Sequence, residues 1–298
     1  MTSSKIRTAR ILSTFSLLSE LVLEKLFRQG RGQSITVAPD NAIINIRPFH
    51  PNDNEAVREL FVKSFGTAEE GSLVRNAILS ELSGGVTSVF YLIGIMGLVL
   101  LVPWRESLAF QPALGSAMIL ACLGFVFFMV HSTHMALLNF VNHGLTGDLL
   151  DTGKYYRGGG QSAAEKKPPD LSGKPSCENA FWVAEMIIPG EKSKIVGGIG
   201  FDTRPDPVTG LIQCPELRRM MVSPLCRRRG VGGQLLRIAL SYGKEHGIKS
   251  FSLDTSSYQN SAIELYQKHG FVMQRKWELR KGIWVANLRL DLPHAEGH

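Results

Sequence analysis

The stretch "CRRRGVGGQLLRIAL", Cys226 to Leu240, decides how the chain is read. Arg227, Arg228 and Arg229 run into Gly230, Gly232 and Gly233, with Val231 between, and apolar residues at helical spacing follow. The first N–H groups of a helix have no internal partners, and the helix dipole makes that end positive. Glycines let an anion approach the backbone, and the arginines add charge-assisted contacts. Residues 229–233 therefore read as a socket for a phosphorylated ligand. There is no G-x-x-x-x-G-K-[ST], and the strands before the loop form a meander, which excludes the P-loop and dinucleotide-binding units.

Working outward, "AFWVAEMII", "KIVGGIGFDT" and "LIQCPELRRMMVSP" precede the socket as three strands. The helix "GVGGQLLRIALSYGKEHG" stops at Gly247. A strand "IKSFSLDTS", a helix "SAIELYQKHG" and two strands, "FVMQRKWEL" and "WVANLRLDL", complete this half. Nearer the start, "AIINIRPFHPND" reads as a strand and turn, and "NEAVRELFVKSF" as a helix. The order implies an α/β fold built on one mixed sheet.

Between the two halves the charge pattern changes. Leu82 to Val102 and Ser107 to Gly147 contain no Asp, Glu, Lys or Arg. Each run supplies at least the roughly 20 apolar residues that a bilayer core requires, and "PWRESLAFQ" joins them. They predict a helical hairpin that enters and leaves a membrane on one side. His131 and His134 share a face of the second helix, but no cysteine or carboxylate lies nearby to complete a metal site, so no metal is expected.

The expected organisation is a basic amphipathic segment over residues 1–40, the first strand and helix over 41–72, the hairpin insertion over 73–147, a flexible linker over 148–178 and the core over 179–293. The N-terminal segment fits either a helix lying on an anionic membrane or a transit peptide. The four cysteines, Cys122, Cys177, Cys214 and Cys226, have no C-x-x-C spacing and read as free thiols. The net charge of +7 suits an acidic cofactor or a membrane surface. A single basic patch without interleaved aromatics argues against nucleic acid.

Arg227-x-x-Gly230-x-Gly232 after a strand, followed by Ala262, Tyr266, Gly270 and Phe271 in an A-x-x-x-Y-x-x-x-G-F helix, resembles the GNAT superfamily of N-acetyltransferases. "ELRRMMV" and "LDTSSYQNSAIELY" resemble its camello-type membrane-bound group, which includes cysteine S-conjugate and aspartate N-acetyltransferases and also carries an apolar hairpin. Arg228 stands where that group commonly has Gly, and Gln259 with Asn260 where many members place a single Asn.

The resemblance implies a GNAT fold with an inserted transmembrane hairpin, acetyl-CoA as cosubstrate and transfer of acetyl to a primary amine. It implies pantetheine contacts at Met221 and Val222, with Gln259 and Asn260 nearby, and pyrophosphate contacts across Arg227–Gly233. Tyr266 would protonate the leaving thiolate. Glu216 is the candidate base, against an ordinary ion-pair role. Arg218 and Arg219 either hold a carboxylate of a small amino acid or conjugate, or balance nearby acids. A protein lysine or N-terminus is the alternative acceptor, and a non-catalytic acyl-CoA-binding adaptor the alternative class. The expected location is the endoplasmic reticulum membrane with the catalytic domain facing the cytosol, with the mitochondrion as the other candidate.

Overall fold

A computed structural model describes residues 41–67, 69, 71–102, 109–156, 178–203, 214–280 and 283–292. The expectations for residues 1–40 and for most of the linker lie outside these. The chain forms two compact units, and the division falls after Phe65 and again after Phe140.

The described part of the first unit is helical: after α1 (Asn54–Phe65), which belongs to the second unit, come α2 (Leu73–Leu82), α3 (Gly85–Leu101) and the greater part of α4 (Gln111–Thr146). Ser72 caps α2 by accepting from the Arg75 amide at 3.2 Å. The apolar run from Leu82 forms one helix from Gly85, and at Ser83 and Gly84, on its N-terminal edge, α2 and α3 meet at 52°. Helix α3 crosses α4 at glycines. A Cβ on Gly97 would lie 2.8 Å from the Gly115 carbonyl, and one on Gly94 would lie 3.0 Å from Cys122 Sγ. Phe90 stacks on Phe125 at 3.5 Å. Small residues at a crossing let apolar helices pack closely without a polar seam. Leu92, Ile95, Leu98, Leu120, Leu123 and Phe128 are exposed. Helix α4 is long and apolar enough to cross a membrane, and α2 with α3 qualifies when the bent pair is taken as one span. At 36 residues, α4 measures about 54 Å, well beyond a hydrocarbon core of about 30 Å.

The second unit is built on a seven-stranded sheet. Its strands are β1 (Ile43–Pro48), β2 (Ala180–Ile187), β3 (Lys194–Asp202), β4 (Glu216–Val222), β5 (Ser250–Ser256), β6 (Val272–Arg280) and β7 (Ile283–Asp291). They lie in the order β1-β2-β3-β4-β5-β7-β6. Every adjacent pair is antiparallel except β4 with β5. The helices are α1 (Asn54–Phe65), the last residues of α4, a short α5 (Thr152–Tyr155), α6 (Val231–Glu245) and α7 (Asn260–Lys268). Arg47 of β1 donates to Asp53 and to Glu185 of β2, tying the first strand into the sheet.

The core lies where the apolar face of α6 meets the sheet: Leu235, Leu236 and Ala239 pack with Ile199, Phe201, Phe251, Leu253 and Leu288. The strand and helix order of this unit is the one the sequence implies. The expected linker from residue 148 is a correction. Residues 148–156 are ordered, with Leu149, Thr152 and Tyr156 buried and α5 capped by Asp151. Thr152 N–H donates to Asn54 Oδ1 at 3.1 Å, and Arg58 donates to the carbonyls of Leu145 and Leu149. Apolar and hydrogen-bonding groups that contact residues almost a hundred positions earlier carry no local signature.

Candidate active site

The site is organised by β4. It meets β5 at one register position, Glu216 beside Ser252, where Ser252 N–H donates to the Pro215 carbonyl at 2.9 Å. From Leu217 to Val222 the ladder to β5 is absent, so one edge of β4 opens. On its other edge β4 pairs with β3 through a bulge: Gly198 faces Met221 and Gly200 faces Arg218, so Arg219 and Met220 together oppose Ile199. Arg219 has φ 52°, the left-handed backbone such a bulge imposes on one residue.

The bulge also sorts the backbone groups. Ser223 N–H donates to the Val196 carbonyl at 2.7 Å. Alternation along an antiparallel ladder then turns Met221 towards Gly198, and turns Met220 and Val222 towards the opening. Val222 and Met220 thus face the opening, whereas Met221 faces β3. The Val222 carbonyl accepts from Arg227 Nε at 3.3 Å.

The loop of arginines and glycines closes the far end of the opening. Pro224–Cys226 form a short 3-10 turn, Arg228 sits at φ 60°, and Gly230 caps α6 at φ 76° in the left-handed region that glycine adopts without strain. No side chain caps α6. The Gln234 amide already bonds the Gly230 carbonyl, which leaves the N–H groups of Val231, Gly232 and Gly233 to the loop. A Cβ on Gly230 would meet nothing within 4 Å, so the approach to these amides is clear. Arg227 and Arg228 are exposed and Arg229 half-buried beside them. A Cβ on Gly232 would lie 3.2 Å from both Leu265 and Met220, which places the loop against α7 and the bulge of β4.

Tyr266 lies on α7, one residue after Leu265, and is 7% exposed. Burial pushes its hydroxyl well above the usual tyrosine range, so it holds its proton at neutral pH. The hydroxyl bonds to no described residue, and it is not among the sealed unpartnered side-chain atoms of the described residues, Ser64 Oγ, Gln111 Oε1 and Thr152 Oγ1. It is therefore a buried, protonated phenol whose oxygen is engaged by no described residue. Gln259 is the N-cap residue of α7; its Oε1 is 3.4 Å from the hydroxyls of Thr255 and Ser256, and Asn260 beside it is exposed.

Glu216 stands at the root of the opening. Burial raises its carboxyl above the usual range; Arg218 pulls it down, and Asp254 and Asp202 push it up. A raised carboxyl is a better proton acceptor at neutral pH than an ordinary one. Arg218 Nε lies 3.3 Å from Glu216, while Arg218 Nη1 donates to Asp202 at 2.9 Å and to the Tyr155 hydroxyl at 3.1 Å. Tyr155 donates to Asp202 at 2.7 Å. Arg219 forms a bidentate pair with Asp148, at 2.6 and 2.8 Å, and the two side chains are 7% and 3% exposed. Of the two readings open for these arginines, the structure shows acid pairing for both. For Arg219 this excludes the carboxylate clamp, since its guanidinium is enclosed; Arg218 remains partly open beside Glu216.

Sequence reasoning missed Asp148, Asp202, Tyr155, Tyr156 and Met220. Only Met220 had a readable signal, the two-residue period of β4 counted from Val222. Among the described residues no group of His, Cys, Asp or Glu is arranged to hold a metal.

The comparisons agree with this geometry. Residues 155–271 match the acetyltransferase (GNAT) family. The chain thus contains a GNAT acetyltransferase domain, on a mixed α/β sheet. It is similar to "N-acetyltransferase family 8 member 2" of Rattus norvegicus, 26% identical over 76% of this chain and 83% of that protein. It is similar also to human "N-acetyltransferase 8", 35% identical over 34% of this chain and 40% of that protein, and to "Probable N-acetyltransferase camello" of Xenopus laevis, 29% identical over 32% and 40%. The match thus covers about two fifths of the human and frog proteins and most of the rat one. Over residues 155–271 the loop and the fold are thus similar to GNAT acetyltransferases, and the relatives are of the camello and N-acetyltransferase 8 type.

Proposed function

We propose that the protein is a membrane-anchored N-acetyltransferase that moves acetyl from acetyl-CoA to a primary amine in a ternary complex. The observation that carries this is the opening of β4, where the ladder to β5 is absent from Leu217 to Val222, ended by the amides of Val231, Gly232 and Gly233. The site fits the donor. Met220 and Val222 offer their backbone to the pantetheine arm as a missing strand would, with Gln259 and Asn260 on the opposite bank. The amides and Arg227, Arg228 and Arg229 hold the pyrophosphate.

Glu216 takes a proton from the incoming ammonium and passes it to solvent, and the neutral amine attacks the thioester carbonyl; the C–S bond breaks as Tyr266 gives its proton to the departing sulfur, and the surplus proton on the new amide nitrogen returns to the Tyr266 oxygen. Holding amine and thioester together supplies much of the acceleration. A small amino acid or amino-acid conjugate is the acceptor class, with the open side of Arg218 beside Glu216 to meet a carboxylate. The exposed apolar faces of α3 and α4 support membrane anchoring. Cys214 and Cys226 are free thiols, in keeping with an endoplasmic reticulum protein whose domain faces the cytosol; protease protection in isolated microsomes tests that placement.

The test of function is thiol release from acetyl-CoA by detergent-solubilised protein, across amino acids, cysteine conjugates, polyamines and lysine peptides. Turnover with small amines supports the reading. Turnover confined to lysine peptides makes the protein a protein acetyltransferase. CoA binding with no turnover for any amine makes it an adaptor.

If Glu216 is the base, kcat/KM climbs with pH through a carboxylate value above the usual range. Glu216→Gln should remove that limb and lower the plateau by about 10²-fold. A profile unchanged in the variant assigns the proton to another acceptor.

A further inference from the structure

The strongest unassigned feature is the buried pair of Asp148 and Arg219. Arg219 is the residue that takes the left-handed turn of the β4 bulge. Its Nε and Nη2 grip both carboxylate oxygens of Asp148. Its guanidinium lies 5.2 Å from the Phe61 ring centre, and a Cβ on Gly144 would lie 2.9 Å from that ring and 3.2 Å from Arg219 Nη1. Asp148 also accepts from the Tyr156 hydroxyl at 2.8 Å. That hydroxyl lies 2.8 Å from where a Cβ on Gly200 would stand, so Gly200 is the residue of β3 that admits it. Burial alone would raise Asp148, yet the hydrogen bonds from Arg219 and Tyr156 outweigh it and hold the carboxyl below the usual range.

We propose that Asp148 is a positioning residue for the acyl donor: by fixing Arg219 it sets the bulge of β4, and with it the direction of the Met220 and Val222 backbone groups along the opening. The claim rests on the donor site described above. Asp148 touches neither reactant and acts through Arg219. The neighbouring backbone is strained in the direction the bulge needs, and a strained residue keeps its conformation only where its surroundings over-determine it. The bidentate pair, the Phe61 ring and the close fit at Gly144 supply that determination. The segment doing this follows directly on α4, so the part of the chain that leaves the long apolar helix also shapes the donor groove.

The test uses the full-length protein in detergent, with CoA binding by calorimetry, steady-state kinetics and thermal melting as readouts. Asp148→Asn keeps the shape and the Tyr156 contact but loses the charge. It should weaken CoA binding and raise the KM for acetyl-CoA about tenfold, while the KM for the amine changes less than about twofold. Because that variant also leaves a buried arginine unpaired, a second one separates position from stability. Asp148→Leu with Arg219→Met fills the same space without charge, and such replacements commonly restore stability. Positioning requires that this double variant melt near the wild type and still bind CoA about tenfold more weakly. Wild-type melting together with wild-type CoA affinity overturns the proposal, as does a loss of affinity shared equally between donor and amine. Should the wild type acetylate no amine, the proposed function fails, but CoA binding by the same variants still decides the role of Asp148.

Discussion

Tyr266→Phe should lower kcat by about 10²-fold or more while the affinity for the acetyl donor stays within a few-fold. The change removes one oxygen and keeps the ring that packs 5.9 Å from Phe271. No described residue hydrogen-bonds to that oxygen, so its loss breaks no structural contact. What goes is the proton, which burial keeps on the phenol at neutral pH. A leaving thiolate that must depart unprotonated slows the chemical step and leaves binding alone, which is the pattern of an interaction made only in the transition state. The control is the melting temperature, which should match the wild type. A kcat within about threefold of wild type would falsify the proton-donor role, because even the low end of general acid catalysis exceeds that.

The largest effect on stability is expected at Gly243, on the inner face of α6. A Cβ there would run into the Phe251 ring, with its Cζ at 2.7 Å, and stand 3.3 Å from Phe201 Cε2. Both rings are fully buried and touch each other edge to face, so neither can yield without disturbing the centre of the core. Overpacking of this kind costs about 1–3 kcal/mol or more, against roughly 1 kcal/mol gained from helix propensity. Gly243→Ala should therefore lower the thermal midpoint by several degrees and abolish none of the site geometry. Gly247→Ala, at a helix end with open space and φ 78°, should cost only the backbone strain of about 1 kcal/mol. Equal melting of the two variants would show that the core yields at Phe251.

Acid should also reveal the paired carboxylates. Asp148 and Asp53 both sit below the usual range in the folded chain. A depressed carboxyl contributes stability that is fully present above its unfolded value near 4 and is lost as pH falls through the lower folded value. The wild type should thus lose stability below about pH 4, and Asp148→Asn, already lacking the contribution, should show a shallower fall.

Much of the architecture was legible because its signals are local. The glycines and arginines of residues 227–233, the stop at Gly247 and the A-x-x-x-Y-x-x-x-G-F helix act within a few residues of where they stand. The unreadable parts are those in which meaning depends on a distant partner. Arg218 and Arg219 look alike in "ELRRMMV", yet one meets Asp202 and the other Asp148, 71 positions away, and only coordinates distinguish a half-open cation from an enclosed one. The polar composition beyond residue 147 suggested a linker, whereas Tyr156 is buried against the sheet and Tyr155 half-buried beside it. The bulge at Arg219 has no composition of its own, although the two-residue period counted from Val222 does turn Met220 towards the opening.

The insertion also governs the order in which the sheet can be completed during synthesis. Ile43 of β1 pairs with Ile187 of β2, so about 140 residues, including the apolar helices, intervene between neighbours. Closing so long a loop in place of one of some 30 residues adds only about 1–2 kcal/mol, since the cost grows with the logarithm of length. Time is the greater matter. At roughly 5–20 residues per second, β1 and α1 wait on the order of ten to thirty seconds after leaving the ribosome before β2 exists to receive them. Strands β2 to β7 are continuous in sequence and can form a sheet without β1. The nascent chain therefore carries an unpaired, partly apolar strand through the whole interval in which the apolar helices are made, which makes this strand the point where a chaperone or a lipid surface would first be needed.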